Sequence, residues 1–138
     1  MDPREPSTVE REALEALYDQ GQVLAIHGRF ADFSPPATWS GLDNLLFASR
    51  LAVRLGDARL SHRLDLRVLR RYPRRLDGRA LHVAMTAEHR DPGAAWALAR
   101  GVTPDPTEPD SAQGRWFSTV ARVLIELRDF ERAAELLD

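Results

Sequence analysis

Apolar residues recur along this chain at helical spacing in short runs, and nearly every run ends at a glycine, an aspartate or a proline. Ser7-Thr8-Val9-Glu10 is a capping box, in which the serine and glutamate side chains satisfy exposed amides reciprocally. It predicts a helix with Ala13, Leu14 and Leu17 on one face, ended by Gly21. Val23, Ile26, Phe30 and Phe33 predict a second helix, stopped by Pro35 and Pro36. Ser40-Gly41-Leu42-Asp43 opens a third, carrying Leu45, Leu46, Ala48, Ser49, Ala52, Val53 and Leu55 and closed by Gly56. Asp57 caps a fourth, with the stripe Leu60, Leu64, Val68 and Tyr72 before Pro73. A fifth runs from Leu76 to His89, and Asp91-Pro92 starts a short sixth through Ala95, Trp96 and Leu98 to Gly101. Pro104, Pro106 and Pro109 mark 102–110 as a loop. Asp110 then caps a seventh helix with Trp116, Phe117, Val120, Val123, Leu124 and Leu127, and Asp129 opens the eighth. Alternation at period two never persists. The expected fold is all-α, with eight helices in four antiparallel pairs.

The turns recur as well. Counted from Gln22, Asp57, Asp91 and Asp129 they stand 35, 34 and 38 residues apart, the last spacing lengthened by the proline loop. A helix-turn-helix unit of about 34 residues is the tetratricopeptide period. The fourth unit carries that pattern best, with Phe117, Val120-Ala121, Leu124, Ala133 and Leu137. The second offers Leu45, Ala48-Ser49, Ala52, Ser61 and Pro73, with Asp65 where an aromatic is expected. The third offers Ala80, Val83-Ala84 and Ala87, with Ala95 or Trp96 in the small slot. The first offers Ala13-Leu14, Leu17, Ile26 and Phe30, with Glu10 in a slot for a large apolar residue. On these residues the chain resembles a degenerate tetratricopeptide repeat protein. The resemblance implies a right-handed α-α superhelix, one domain over 7–138 in units 7–36, 38–73, 76–106 and 110–138, behind a disordered lead over 1–6. The RNA-reading helical repeat of similar length fits one spacing and less of the packing.

Composition narrows the chemistry. The 138 residues contain no cysteine, which removes disulfides, thiolate nucleophiles and cysteine-ligated zinc. All 19 basic residues are arginine, so a P-loop lysine, a Schiff-base lysine and a lysine general base are excluded too. No Gly-x-Ser-x-Gly elbow, glycine-rich phosphate cradle or His-Glu-x-x-His occurs. His82 and His89 stand two helical turns apart, too far for one metal ion, and His27 and His62 belong to other units. Trp39, Trp96 and Trp116 fall near helix starts and read as packing residues. The expectation is a non-enzymatic protein without cofactor or metal. The polar N-terminus is no secretory signal, and no apolar run approaches the ~18 residues of a membrane span, so a cytoplasmic location is expected.

In tetratricopeptide architecture the first helices of the units line the concave side. The resemblance puts Leu46, Arg50, Val53 and Arg54 there from the second unit, Leu81, Met85 and His89 from the third, and Arg122 and Ile125 from the fourth. Arginines beside apolar anchors suit a protein or peptide partner that offers a carboxylate and a hydrophobic side chain. The carboxylate-clamp repeats of this family use asparagine and lysine; this chain has one asparagine, Asn44, and no lysine, so that specificity is not implied.

Two further readings stand beside the scaffold. Net charge is only -2, yet residues 50–79 hold ten arginines against three acids. Arg59, Arg63, Arg67, Arg70 and Arg74 fall on one face of a continuous helix, a candidate ridge for RNA or another anion. No aromatics interleave with them, which weakens single-strand binding by stacking. Modules of this kind also resemble accessory parts of bacterial enzymes, including peptidases, and the ending at Leu136-Leu137-Asp138 without a polar capping helix fits a piece of a longer protein. The last helix is expected to bury Phe130, Ala133, Ala134 and Leu137, leaving Leu136 open for self-association.

Overall fold

The computed structural model describes residues 4–137. They form eight α-helices: α1 (Thr8–Asp19), α2 (Val23–Gly28), α3 (Leu42–Arg54), α4 (Ala58–Arg71), α5 (Leu76–His89), α6 (Pro92–Ala99), α7 (Asp110–Glu126) and α8 (Phe130–Leu137). Short 3-10 turns lie at Phe30–Asp32 and Pro36–Thr38, and no strand occurs among the described residues beyond one isolated bridge between Arg4 and Phe33. The fold is all-α. The chain divides into two compact units, 1–68 and 69–138, so the boundary falls inside the second expected repeat.

Three turns share one chemistry. The amides of Gln22, Asp57 and Asp129 reach back to the carbonyls of Leu17, Ala52 and Leu124, and those of Gly21, Gly56 and Arg128 to Tyr18, Val53 and Ile125. This is the Schellman pattern, which satisfies the last carbonyls of a helix and requires a left-handed residue. Gly21 (φ 74°) and Gly56 (φ 82°) supply it without a Cβ clash; Arg128 takes it at φ 62°. Asp57, Asp91 and Asp129 accept from the amides of Leu60 (3.0 Å), Ala94 (2.7 Å) and Arg132 (3.3 Å), opening α4, α6 and α8 as expected. Asp110 does not cap α7; it lies in the first turn, where its charge complements the helix dipole.

The first unit departs most from expectation. The capping box of α1 is present, with Ser7 Oγ accepting from the Glu10 amide at 3.3 Å and the Ser7 amide donating to Glu10 Oε1 at 3.1 Å. Ala13 is exposed, and Leu14 is the buried residue of α1. The expected second helix reaching Phe33 ends instead at Gly28. Pro35 bars the α conformation at Ser34, and Phe33 is extended (φ -127°, ψ 159°) and buried. The Ser34 amide donates to the Arg4 carbonyl at 2.9 Å.

Residues 4–6 are therefore not a disordered lead; Met1, Asp2 and Pro3 of that expectation lie outside the described residues, as does Asp138. Pro6 is buried, and the Glu5 carboxylate accepts from the Ser40 amide (2.6 Å), Ser40 Oγ (2.8 Å) and Asn44 Nδ2 (3.3 Å). Ser40 thus serves Glu5, and Gly41 stands at the N-cap of α3 without a side-chain bond. The hydrogen bond from the Ser40 amide, foremost, lowers the Glu5 pKa. The core here comprises Leu14, Ile26, Phe33, Trp39, Leu64, Val68 and, from α3, Leu42, Leu45, Leu46, Phe47, Ala48, Leu51 and Ala52.

In the second unit α5 packs on α6 and α7, α6 on α7, and α7 on α8. Alanines make the close approaches: Ala80, Ala95, Ala99, Ala112, Ala121 and Ala133 are all buried, with Leu76, Val83, Trp116, Val120 and Leu124 filling the space between. The proline loop is fixed to α5. Glu108 accepts from Arg75 Nε at 3.0 Å and from the Leu76 amide at 3.1 Å, capping the helix from thirty-two residues away. That bond to Arg75, with the Leu76 amide, holds its pKa down. Buried Asp77 faces Arg115, Oδ1 to Nε at 2.7 Å.

Candidate partner-binding surface

The most developed functional geometry lies on α3 of the first unit. Phe47 anchors it, fully buried, stacked on Trp39 (centroids 6.5 Å, 15°) and meeting Tyr18 of α1 edge-on (6.0 Å, 77°). One and two helical turns on, Arg50 and Arg54 lie over the same rings. The Arg50 guanidinium carbon is 5.5 Å from the Tyr18 centroid and 5.6 Å from that of Phe47, and Arg54 is 5.3 Å from Tyr18. Stacking on an aromatic face holds a guanidinium without using its hydrogen bonds. Arg50 Nη2 reaches Glu15 only at 4.0 Å, and Glu15 already accepts from Arg11 Nε at 3.1 Å. Arg54 pairs with no carboxylate among the described residues. Val53, between the two arginines in sequence, is 62% exposed. Leu46, expected at the same surface, is 9% exposed and belongs to the core, because its helix is buried along most of its girth. It cannot anchor a partner.

The remaining expected groove residues stand in the second unit. Leu81 and Met85 are half-buried and His89 is exposed on α5; Arg122 and Ile125 are exposed on α7, which packs along α5. The nine expected positions thus form two sets, one in each compact unit.

The arginine ridge is broken as a single face. Pro73 ends α4 at Arg71, so Arg74 lies in the following turn, where its carbonyl accepts from Arg79 Nε. Arg67 is engaged, donating from Nη1 to the Ala37 carbonyl at 2.7 Å. Arg59, Arg63 and Arg70 are exposed. Asp65, in the slot where an aromatic was expected, accepts from Ser49 Oγ at 2.7 Å, and Ser49 bonds Ser61 Oγ at 2.9 Å. Burial, foremost, raises the Asp65 pKa against the opposing pull of the Ser49 bond and nearby His62. Sequence reasoning saw Ser49 and Ser61 only as small packing residues; serines and an acid in facing packing slots were the signal for a buried polar contact.

Other perturbed carboxylates are structural. Glu10 is held down to about 2 by Arg4 Nη1, 2.6 Å away, and by Ser7. Thr107 lowers Asp105 through its hydroxyl and amide. No group of three or more metal-ligating side chains occurs among the described residues, and none of their helices is long and apolar enough to cross a membrane. Set beside protein-family models, curated proteins and solved structures, the chain matches none of them.

Proposed function

We propose that this chain is a non-enzymatic, tetratricopeptide-like scaffold whose α3 face holds a segment of another protein that presents a carboxylate beside an apolar side chain. The observation that carries the reading is the pair Arg50 and Arg54, poised over Tyr18 with their charge largely unneutralised, flanking exposed Val53. A guanidinium already oriented by a ring loses less freedom on meeting a carboxylate, so it contributes more to affinity and selectivity. The repeat character is supported by the three turns of identical hydrogen bonding and by α5 packing on both α6 and α7. A superhelical arrangement of all four pairs, a bacterial cytoplasmic setting and attachment to an enzyme belong to the proposal's wider frame. Anion binding along α4 is the weaker reading, since Arg67 is engaged and Arg74 is off the helix.

The test is capture of partners by the full chain, identification by mass spectrometry, and measurement of each affinity against the Arg50→Glu, Arg54→Glu double variant. Loss of about 2–5 kcal/mol is expected for a partner whose carboxylate is buried against these groups. Unchanged affinity for every captured partner overturns the assignment.

A further inference from the structure

The second unit contains a cleft that the scaffold reading does not use. It has a volume of about 360 Å³ and is walled by the end of α6, the start of the proline loop, one side of α7 and α8. Its apolar lining includes Trp96, Trp116, Phe117 and Leu136, and its charged lining is Arg100, Arg132 and Glu135. Small-molecule sites have this make-up, a mostly apolar concavity of about 300–1,000 Å³ with a few polar groups that fix orientation.

Two details point to a ligand. The Arg100 guanidinium has neither a carboxylate nor a hydrogen-bond partner among the described residues. Arg132 is held with its guanidinium carbon 5.7 Å from the Trp96 centroid, and its Nε is 3.6 Å from Asp129 Oδ2. Asp129 answers Arg132, so Arg100 is the guanidinium of the lining that no carboxylate pairs among the described residues, and it stands beside aromatic walls.

We propose that this cleft binds a small organic carboxylate with a flat apolar body, its ring among Trp96, Trp116 and Phe117 and its carboxylate on Arg100 and Arg132. Glu135 opposes the ligand's charge and sets a limit on affinity. The site is independent of the α3 surface, since every residue lining it belongs to the second unit.

The full chain should be titrated with naphthylacetate while the three indole N–H resonances are followed by nitrogen–proton correlation. Trp39 is the internal reference, because it lies in the other unit with its N–H bonded to the Ser34 carbonyl at 2.9 Å. Saturable shifts are expected at Trp96 and Trp116 and not at Trp39. Naphthylethanol, the neutral analogue, and acetate should each bind much more weakly. Arg100→Gln should weaken naphthylacetate by about tenfold or more, the worth of one hydrogen bond to a charged group. Glu135→Gln should tighten it. Both positions are solvent-exposed at the rim, so the fold survives either change. Equal affinity for naphthylethanol, no effect of Arg100→Gln, or equal shifts at all three indoles overturns the proposal. So does tighter binding of a Glu-Phe-Glu peptide than of naphthylacetate, which would make the cleft a docking point for a protein segment.

Discussion

The two compact units solve the same problem, closing helices on one another, with different side chains. In the second unit six alanines sit at the helix contacts, so backbones approach closely and the core is dry apart from Asp77 at its edge. In the first, Phe33, Trp39 and Phe47 fill the interior, and α3 meets α4 partly through the Ser49–Ser61–Asp65 hydrogen bonds. Small-residue packing depends on shape, and tolerates no added volume. The aromatic and polar solution depends on satisfied hydrogen bonds, and is sensitive to charge state. The difference shows where each unit is vulnerable.

The sharpest break is at Gly78. It is buried in α5, and a methyl group there would overlap the carbonyl oxygen of Tyr72. The obstructing atom is backbone, which cannot swing away as a side chain could. Gly78→Ala should therefore destabilise by about 3 kcal/mol, the upper end for overpacking, despite the better helix propensity of alanine. Denaturant unfolding measures it, and amide exchange should show the protection lost first in α5. A cost within 0.5 kcal/mol or so, typical of surface changes, would mean the second unit's packing is not shape-limited.

Ser49→Ala probes the other mode. It removes the donor at 2.7 Å from Asp65 and should cost about 1–3 kcal/mol at pH values where that carboxylate is ionised. Because burial raises the folded-state pKa of Asp65, its contribution is fully present below the unfolded value of about 3.9 and is lost as pH rises through the folded value. The Ser49 bond restrains that rise, so the variant should show a steeper loss of stability with pH, and should approach the parent in acid. Adding Asp65→Leu should remove this pH dependence and recover stability, since an apolar replacement of a buried polar contact is frequently neutral or favourable. Urea unfolding at several pH values checks the sign. A deficit that grows in acid contradicts it.

Much of this was legible in the residues, and the failures have physical causes. Helix existence and six of the turns followed from capping aspartates, glycines and prolines, all local chemistry. The end of α2 was misplaced because Phe30 and Phe33 keep helical spacing, while the deciding force, pairing of Phe33 with Arg4, comes from a segment distant in sequence. Register put Arg50, Val53 and Arg54 on the open side of α3, where they are exposed, but Tyr18, over which the arginines lie, comes from α1 and left no local signal. Leu46 was misjudged because register cannot tell a helix buried on one stripe from one buried nearly all round. The cleft was invisible because it is a space left by several elements.

A milder change sharpens the comparison at the turns. Gly21 and Gly56 serve the first unit, while the second places Arg128 in the same left-handed conformation. A side chain there costs about 1–2 kcal/mol, partly offset by the lower chain entropy of a non-glycine residue when unfolded. Arg128→Gly should stabilise by about 0.5–1 kcal/mol, raising the melting temperature without altering the α7–α8 contact. A lowered melting temperature would show that the arginine side chain contributes something the turn geometry does not require.

The smallest effect on stability is expected at Phe130, and its value lies in what it separates. The stripe Phe130, Ala133, Ala134 and Leu137 looked like the buried face of α8, with Leu136 left open. Only Ala133 of that stripe is buried: Phe130 is 61% and Leu137 59% exposed, while Leu136 packs against the core with Phe117 and Trp96. The helix is rotated from expectation because both stripes share Ala133, and Leu136 reaches the space over α7 that Phe130 would have to fill. Phe130→Glu should therefore change stability by no more than about 0.5 kcal/mol. Leu136→Glu, which buries a charge against Trp96 and Phe117, should lower the melting temperature clearly. Self-association through this end would run through Phe130, Ala134 and Leu137, so light scattering of the parent chain should fall to the monomer mass in Phe130→Glu and stay unchanged in Leu136→Glu. A parent chain that is already monomeric at high concentration removes self-association and leaves the rotation of α8 to be judged by the two melting temperatures alone.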